Sequence, residues 1–307
     1  AHVLRLEAYK GADIEVSIIN FYIREAGEIA AMPPGLAPGL NLIDDNSVNL
    51  MLPAPGKEYI YVLGDFNNWA PTASSQMKKD GDSFWLTIEG LEPGVEYAYQ
   101  YYIDGTLRLA DPFTYKVLDQ HNDRYIPESV YPNLKPFPSE YASGLVSVFE
   151  TNPPEYIWTV ENFALPEKDK LVIYEVLIRD FTDNGDIKTI TDSLDYFVRL
   201  GVNAIELMPF NEFEGNDSWG YNPSFFFAAD KAYGTINDYK EFIDECHKRG
   251  IAVIMDIVLN HSFGQSPLLQ MYFDGSKPAA DNPWYNQNHN MQNPDAQWGY
   301  DFNHESV

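Results

Sequence analysis

Residues 250–261, GIAVIMDIVLNH, run from a glycine through an apolar stretch that holds one aspartate and stops on an asparagine and a histidine. A continuous Ile- and Val-rich run is the pattern of a strand covered on both faces, and such strands belong mostly to parallel sheets packed between helices. Asp256, inside that run, needs a partner, because a buried carboxylate without one is costly. The residues just ahead, GTINDYKEFIDECHKRG, predict a helix. Tyr239, Phe242, Ile243 and Cys246 keep to one face, Thr235 stands as N-cap with Asp238 behind it, and Lys248, Arg249 and Gly250 close the end.

Further upstream the same alternation repeats. KLVIYEVLIRDFT reads as a buried strand and IKTITDSLDYFVRLG as a helix with Ile187, Ile190, Leu194, Phe197 and Val198 on its apolar face. VNAIELMPF is a second strand, so 250–261 is the third. Strand, helix, strand, helix, strand means parallel strands joined by right-handed crossovers, in an open sheet or a (β/α)8 barrel. Polar groups collect where each strand ends: Arg179 and Asp180, Pro209 to Glu212, then Asp256, Asn260 and His261. No glycine-rich phosphate loop follows the first strand, which argues for the barrel.

Before about residue 150 the pattern differs. SVNLMLPAPGK, YIYVLGDFNNW, DSFWLTIEGLEPG, EYAYQYYIDGT and LRLADPFTY alternate Val, Ile, Tyr and Phe with polar residues between Pro-Gly and Asp-Gly turns, as in an antiparallel sandwich. YYIDGTLRL predicts a hairpin around Asp104-Gly105. The fold class is therefore a multidomain chain: an antiparallel β-sandwich followed by the first three β/α units of a TIM barrel. Residues 1–40 are an N-terminal segment or the tail of a preceding module, with IEVSIINFYI a strand and AMPPGLAPGL a linker or covering loop. The sandwich spans 41–130, a proline-rich linker 131–165, and the half-barrel 166–307.

A formal charge of −26 in 307 residues repels phosphate backbones and anionic membrane surfaces, which excludes nucleic acid as a natural partner. No apolar run approaches the roughly 20 residues of a membrane span. The single Cys246 excludes an internal disulfide and falls at a core helix position. The opening AHVLRLEAYK has no charged n-region and apolar h-region, so a signal peptide is absent or already removed. The acidic, tyrosine-rich composition suits an extracytoplasmic protein.

GVNAIELMPFNEF, WGYNPSFFFAADKAYGT, NDYKEFIDECHKRGIAVIMDIVLNH and YDFNHES, in that order, resemble consecutive motifs of the α-amylase superfamily of glycoside hydrolases, glycoside hydrolase family 13. YVLGDFNNW and the strands after it resemble the glucan-binding-like sandwich that precedes the barrel in its pullulanase, isoamylase and branching-enzyme branches. The resemblance implies an enzyme acting on α-glucans or maltooligosaccharides. It implies that His261 bonds the sugar at the scissile subsite, Tyr221 stacks on that ring, and Asp256 supports the catalytic floor by pairing with an arginine of the fourth strand. Trp219 either lines the cleft or pins its loop. Asn260 stands where some members ligate a structural calcium; no other cofactor is implied.

The family works with retention, using a nucleophile and an acid about 5 Å apart, carried by its fourth and fifth strands. Nothing in this chain matches those strands, so the nucleophile and acid are expected beyond Val307. The chain is expected to be one portion of a larger enzyme, inactive alone and completed by the remainder of the barrel. Glu206, Glu212 and Glu305 have no family match as catalytic carboxylates. Three alternatives stay open: a 1,4-α-glucan branching transferase, a non-catalytic glucan-binding protein, and an assembly or interaction protein with an amylase-like shape. Trp69 and Trp85 could be glucan platforms, although tryptophans of such sandwiches are more often core.

Overall fold

The computed structural model describes residues 2–11, 13–21 and 26–305. Val307, the residue beyond which the nucleophile and acid are expected, lies outside the described residues. A hairpin of β1 (His2–Lys10) and β2 (Asp13–Phe21) opens the chain. The strand expected from Ile14 is thus present, and its last residues, Tyr22 and Ile23, lie outside the described ones. The next strands are β3 (Gly39–Asp44), β4 (Ser47–Pro53), β5 (Ile60–Gly64), β6 (Lys78–Asp80), β7 (Ser83–Ile88), β8 (Glu96–Ile103), β9 (Leu107–Leu109), β10 (Val117–Asp119) and β11 (Leu145–Glu150). They form two antiparallel sheets, ordered β3-β4-β7-β6 and β10-β11-β8-β5, with β9 paired to β8.

Alternation puts Val48, Leu50 and Leu52 of β4 and Phe84, Leu86 and Ile88 of β7 in one core with Ile60, Val62, Tyr99, Tyr101 and Ile103 of the other sheet. The β8–β9 hairpin turns at Asp104 and Gly105 with φ of 48° and 71°, the left-handed pair that the Asp-Gly signal demands. Strand β11 falls inside the stretch read as linker. LVSVFE is a short run of mostly apolar residues, its four middle positions buried, and the prolines on either side concealed it. Asp111 is fully buried in this core, taking bonds from the Tyr99 and Tyr101 hydroxyls at 2.8 and 3.0 Å.

The remaining linker is docked. The Asp244 carboxylate accepts from Thr159 Oγ1 at 2.6 Å, from Val160 N at 3.0 Å and from Thr159 N, and Phe163 stacks on His247 at 4.0 Å. Asp244 and His247 both belong to the helix predicted at 235–250.

In the second half β12 (Ile173–Val176), β13 (Ala204–Leu207) and β14 (Ala252–Met255) form a parallel sheet in the order β12-β13-β14. Between them lie α1 (Ile178–Phe181), α2 (Ile187–Asp192), α3 (Leu194–Leu200) and α4 (Ile236–Lys248). Helix α4 carries the reciprocal Thr235–Asp238 cap. The helix expected over 187–201 is broken at Ser193, where Ser193 Oγ bonds Thr189 O and Thr191 Oγ1 bonds Ile187 O, side chains competing with the helical ladder. Val198, expected on the apolar face, is 46% exposed, whereas Ile187, Ile190, Leu194 and Phe197 are buried.

Helices α2 to α4 cover one face of the parallel sheet, burying Val176, Ile205 and Leu207. The other face is open, so the two-sided burial read from the sequence is not present: Ile173, which shares that face with Glu175, is 48% exposed. An excursion follows, with α5 (Pro267–Gln270) and the short ladder β15 (His261–Ser262) to β16 (Tyr300–Asp301). Met271 and Tyr272 of that excursion join the core of the two antiparallel sheets, and Tyr272 donates to Pro55 O at 2.6 Å. Among the described residues no helix is long and apolar enough to cross a membrane.

Candidate functional site

Register aligns Val176, Leu207 and Met255, so the three parallel strands end level and the residues after them share one rim. Successive strand residues face opposite ways. Since Val176, Ile205 and Leu207 point at the helices, Glu175 and Glu206 point to the open face.

Tyr221 reaches this face on a loop that crosses the end of β13. Gly220 makes the crossing possible: its φ is +88°, and a Cβ there would lie 1.9 Å from Pro209 O. The loop holds its own shape through Gly220 N to Ser218 Oγ at 3.0 Å and Asn222 Nδ2 to Glu214 O at 3.2 Å.

The Tyr221 hydroxyl donates to Asp256 Oδ2 at 2.6 Å. That bond, partial burial, and the charges of Asp256, Glu175 and Glu206 push the phenol up to about 12. Among the described residues the partner of Asp256 is the Tyr221 hydroxyl; the arginine that the resemblance implies belongs to a fourth strand, outside the described residues. His261 Nε2 donates to Tyr221 O at 2.8 Å, and Nδ1 is buried without a hydrogen-bond partner among the described residues. A Cβ at Gly299 would lie 2.9 Å from His261 Cδ2, so main chain packs directly on the imidazole.

Three of the expected residues, Tyr221, Asp256 and His261, are thus joined in one hydrogen-bonded chain. Trp219, two residues before Tyr221 in the chain, is 61% exposed. Asn260 is exposed. Calcium takes six to eight oxygens, mostly carboxylates, and among the described residues no three His, Cys, Asp or Glu side chains converge on a metal position, so the residues present do not fit such a site.

Trp69 and Trp85 are buried, 6% and 8% exposed, with their indole N–H groups bonded to Asp65 and to Ala30 O. Both belong to the interior. Of the carboxylates without a family match, Glu305 is exposed and Glu206 lies on the open face.

Glu212 is occupied elsewhere. Its Oε1 is 3.0 Å from Lys231 Nζ, which is also 3.0 Å from Asp123 Oδ1 in an ion pair without hydrogen-bond alignment. Asp230 is buried next to this group, and burial raises the Asp230, Glu212 and Asp123 carboxyls. Burial would lower Lys231, but the three carboxylates outweigh it and hold the lysine above its usual range. Sequence reading missed this cluster, because its cation and Asp123 are far apart in the chain.

Residues 145–306 match the family model of the α-amylase catalytic domain. Over 208 residues the chain is 30% identical to malto-oligosyltrehalose trehalohydrolase of Saccharolobus solfataricus, covering 64% of this chain and 32% of that protein. Over 269 residues it is 28% identical to the 1,4-α-glucan branching enzyme GlgB of Halothermothrix orenii, covering 80% of this chain and 39% of that protein. The fold is also that of the Group B Streptococcus pullulanase SAP in complex with maltotetraose, with a TM-score of 0.57 and 22% identity over 74% of this chain and 34% of that one. The chain spans about a third of the length of the curated relatives it matches. With its open parallel sheet, antiparallel sheets and matching motifs, the chain belongs to the α-amylase catalytic-domain family.

Proposed function

We propose that the chain is part of a retaining glycoside hydrolase acting on α-glucans: a β-sandwich over about 41–150, a docked linker, and the first three β/α units of a (β/α)8 barrel. The observation that carries this reading is the Tyr221–Asp256–His261 chain at the rim of the parallel sheet. Asp256 holds the phenol edge while His261 holds the main chain of Tyr221, so the ring is fixed from both ends and one face can stack on a sugar. His261 borders the same subsite, and exposed Trp219 forms its outer wall. A neutral glucan suffers no repulsion from the acidic surface.

The nucleophile and acid are proposed to lie on strands beyond Val307, outside these 307 residues. The outer position of β14 in the parallel sheet, with Met255 and Ile257 each 40% exposed, supports further strands and their helices adding there. Whether water or a glucan hydroxyl takes the glucosyl unit separates hydrolase from branching transferase, and those strands decide it.

The test is the intact mass of the purified sample, a reducing-sugar assay on amylose and on pullulan, and maltoheptaose titration. A mass near 35.0 kDa, saccharide binding lost in Tyr221→Ala, and no sugar released is the expected result. Release by this chain alone would overturn the placement of the carboxylates. Absence of any saccharide binding would overturn the glucan reading.

A further inference from the structure

Trp298 is 60% exposed, yet it is not loose: its indole N–H donates to Asp295 O at 2.8 Å, which anchors one edge and leaves the ring faces to solvent. The surrounding loop is tied as well. Gln297 Nε2 donates to Met291 O at 2.8 Å, His289 Nε2 to Gly299 O at 2.9 Å, and Asn286 Nδ2 to Asp301 Oδ2 at 2.6 Å. Within a chain of charge −26, the stretch 286–299 carries seven amide side chains and one carboxylate, Asp295. Amides both donate and accept, so they match hydroxyl groups and repel no neutral ligand. Gln287, Asn288, Asn290 and Gln292 of this stretch are exposed.

The position of the loop relative to the rim is fixed by β15 and β16. His261 pairs with Asp301 and Ser262 with Tyr300. Gly299, the residue after Trp298, has φ +61° and packs so closely that a Cβ would lie 2.4 Å from Ser262 O and 2.9 Å from His261 Cδ2. The anchored indole therefore sits one residue from main chain that touches the imidazole holding Tyr221.

We infer that Trp298 is a sugar-stacking platform, forming with the amides of its loop the subsite next to the one bordered by Tyr221 and His261. Its ligand is a neutral oligosaccharide long enough to occupy both. This inference rests on the α-glucan reading and adds a determinant of chain length to it. A rigid aromatic face contributes stacking area with little loss of side-chain freedom, and the amides set which hydroxyls are accepted.

The experiment is calorimetric and tryptophan-fluorescence titration of the 307-residue chain with maltose and with maltoheptaose, in wild type, Trp298→Ala, Trp298→Phe and Tyr221→Ala. Trp298→Ala is expected to weaken maltoheptaose about tenfold while leaving maltose unchanged, and Trp298→Phe to retain most of the affinity. Tyr221→Ala is expected to weaken both saccharides. If Trp298→Ala binds maltoheptaose like wild type while Tyr221→Ala does not, the subsite is refuted and the glucan reading stands. Equal losses in Trp298→Phe and Trp298→Ala would assign the effect to the Asp295 bond, overturning the stacking role. Wild type binding neither saccharide would overturn both readings together.

Discussion

Replacing Asp244 with alanine removes the acceptor that docks the interdomain segment. The carboxylate is 1% exposed and takes Thr159 Oγ1 at 2.6 Å and Val160 N at 3.0 Å, with the longer Thr159 N and Tyr156 OH contacts beside them. Hydrogen bonds to a charged group contribute about 1.5–3 kcal/mol each. The segment lies at the surface, with Ile157 83% exposed, so its freed donors regain water and the low end applies. Two short bonds then give about 3 kcal/mol of docking energy, or about a hundredfold in the docked population. Hydrogen exchange measures this directly. The Thr159 and Val160 amides should lose about a hundredfold of protection in Asp244→Ala, and proteases should cut between 152 and 163, while amides in the middle of α4 hold their protection. Asp244→Asn, which retains one oxygen, should fall between. Unchanged exchange at Thr159 and Val160, or equal loss throughout α4, would refute the clasp.

Stability should peak in mildly acid solution. Burial pushes Asp111 up to about 6, so between the unfolded value of about 3.9 and 6 the folded state holds a proton that the unfolded state lacks, and stability falls as pH rises through that window. Burial would also raise Asp244, but bonds from Thr159 and Val160 and the Lys248 charge hold it at about 2, so its contribution is complete above about 3.9 and is lost as pH falls toward 2. Urea midpoints from pH 2 to 8 check both arms, and a midpoint rising steadily from pH 4 to 7 would contradict the Asp111 arm. Gly220→Ala should cost more than about 1 kcal/mol from its positive φ alone, and displacing the loop from Pro209 should abolish saccharide binding before global unfolding, as read by titration and circular dichroism. Lys231→Met strands buried carboxylates and should cost about 3–5 kcal/mol in chemical denaturation, with part recovered by adding Glu212→Gln.

Local chemistry made much of this molecule legible. Thr235 with Asp238, and Asp104 with Gly105, specify their elements through contacts a few residues long, and both appear where the pattern puts them. Tyr221, Asp256 and His261 were legible only through the motifs around them, since no spacing rule brings residues 221 and 256 within 2.6 Å. Other features depended on information that a linear pattern lacks. The break at Ser193 turns on whether hydroxyls bond the helix or water. Gly220 and Gly299 look like loop glycines until the main chain passing beside them is known. Trp69 and Trp85 read as core more readily than as platforms, and the covering segment around Ala30 and the Tyr141 ring stacked on Trp69 decide for the interior.

The long-range contacts also bear on how the rim keeps its shape. The segment after β13 carries Tyr221 to the open face and Glu212 and Lys231 to Asp123 of the two-sheet module, and Asn216 Nδ2 bonds Asn122 O at 3.0 Å. The excursion after β14 carries His261 and Trp298, and it sends Tyr272 into that module's core, where Lys57 lies 4.3 Å over its ring. Both loops that build the candidate site are therefore fastened at a second point to the antiparallel sheets. A loop held at one end samples many conformations, and fixing a second point removes most of that freedom before a ligand arrives. On the proposed glucan reading the two-sheet module would act on saccharide affinity without touching saccharide, by holding Tyr221 and His261 in register with Asp256.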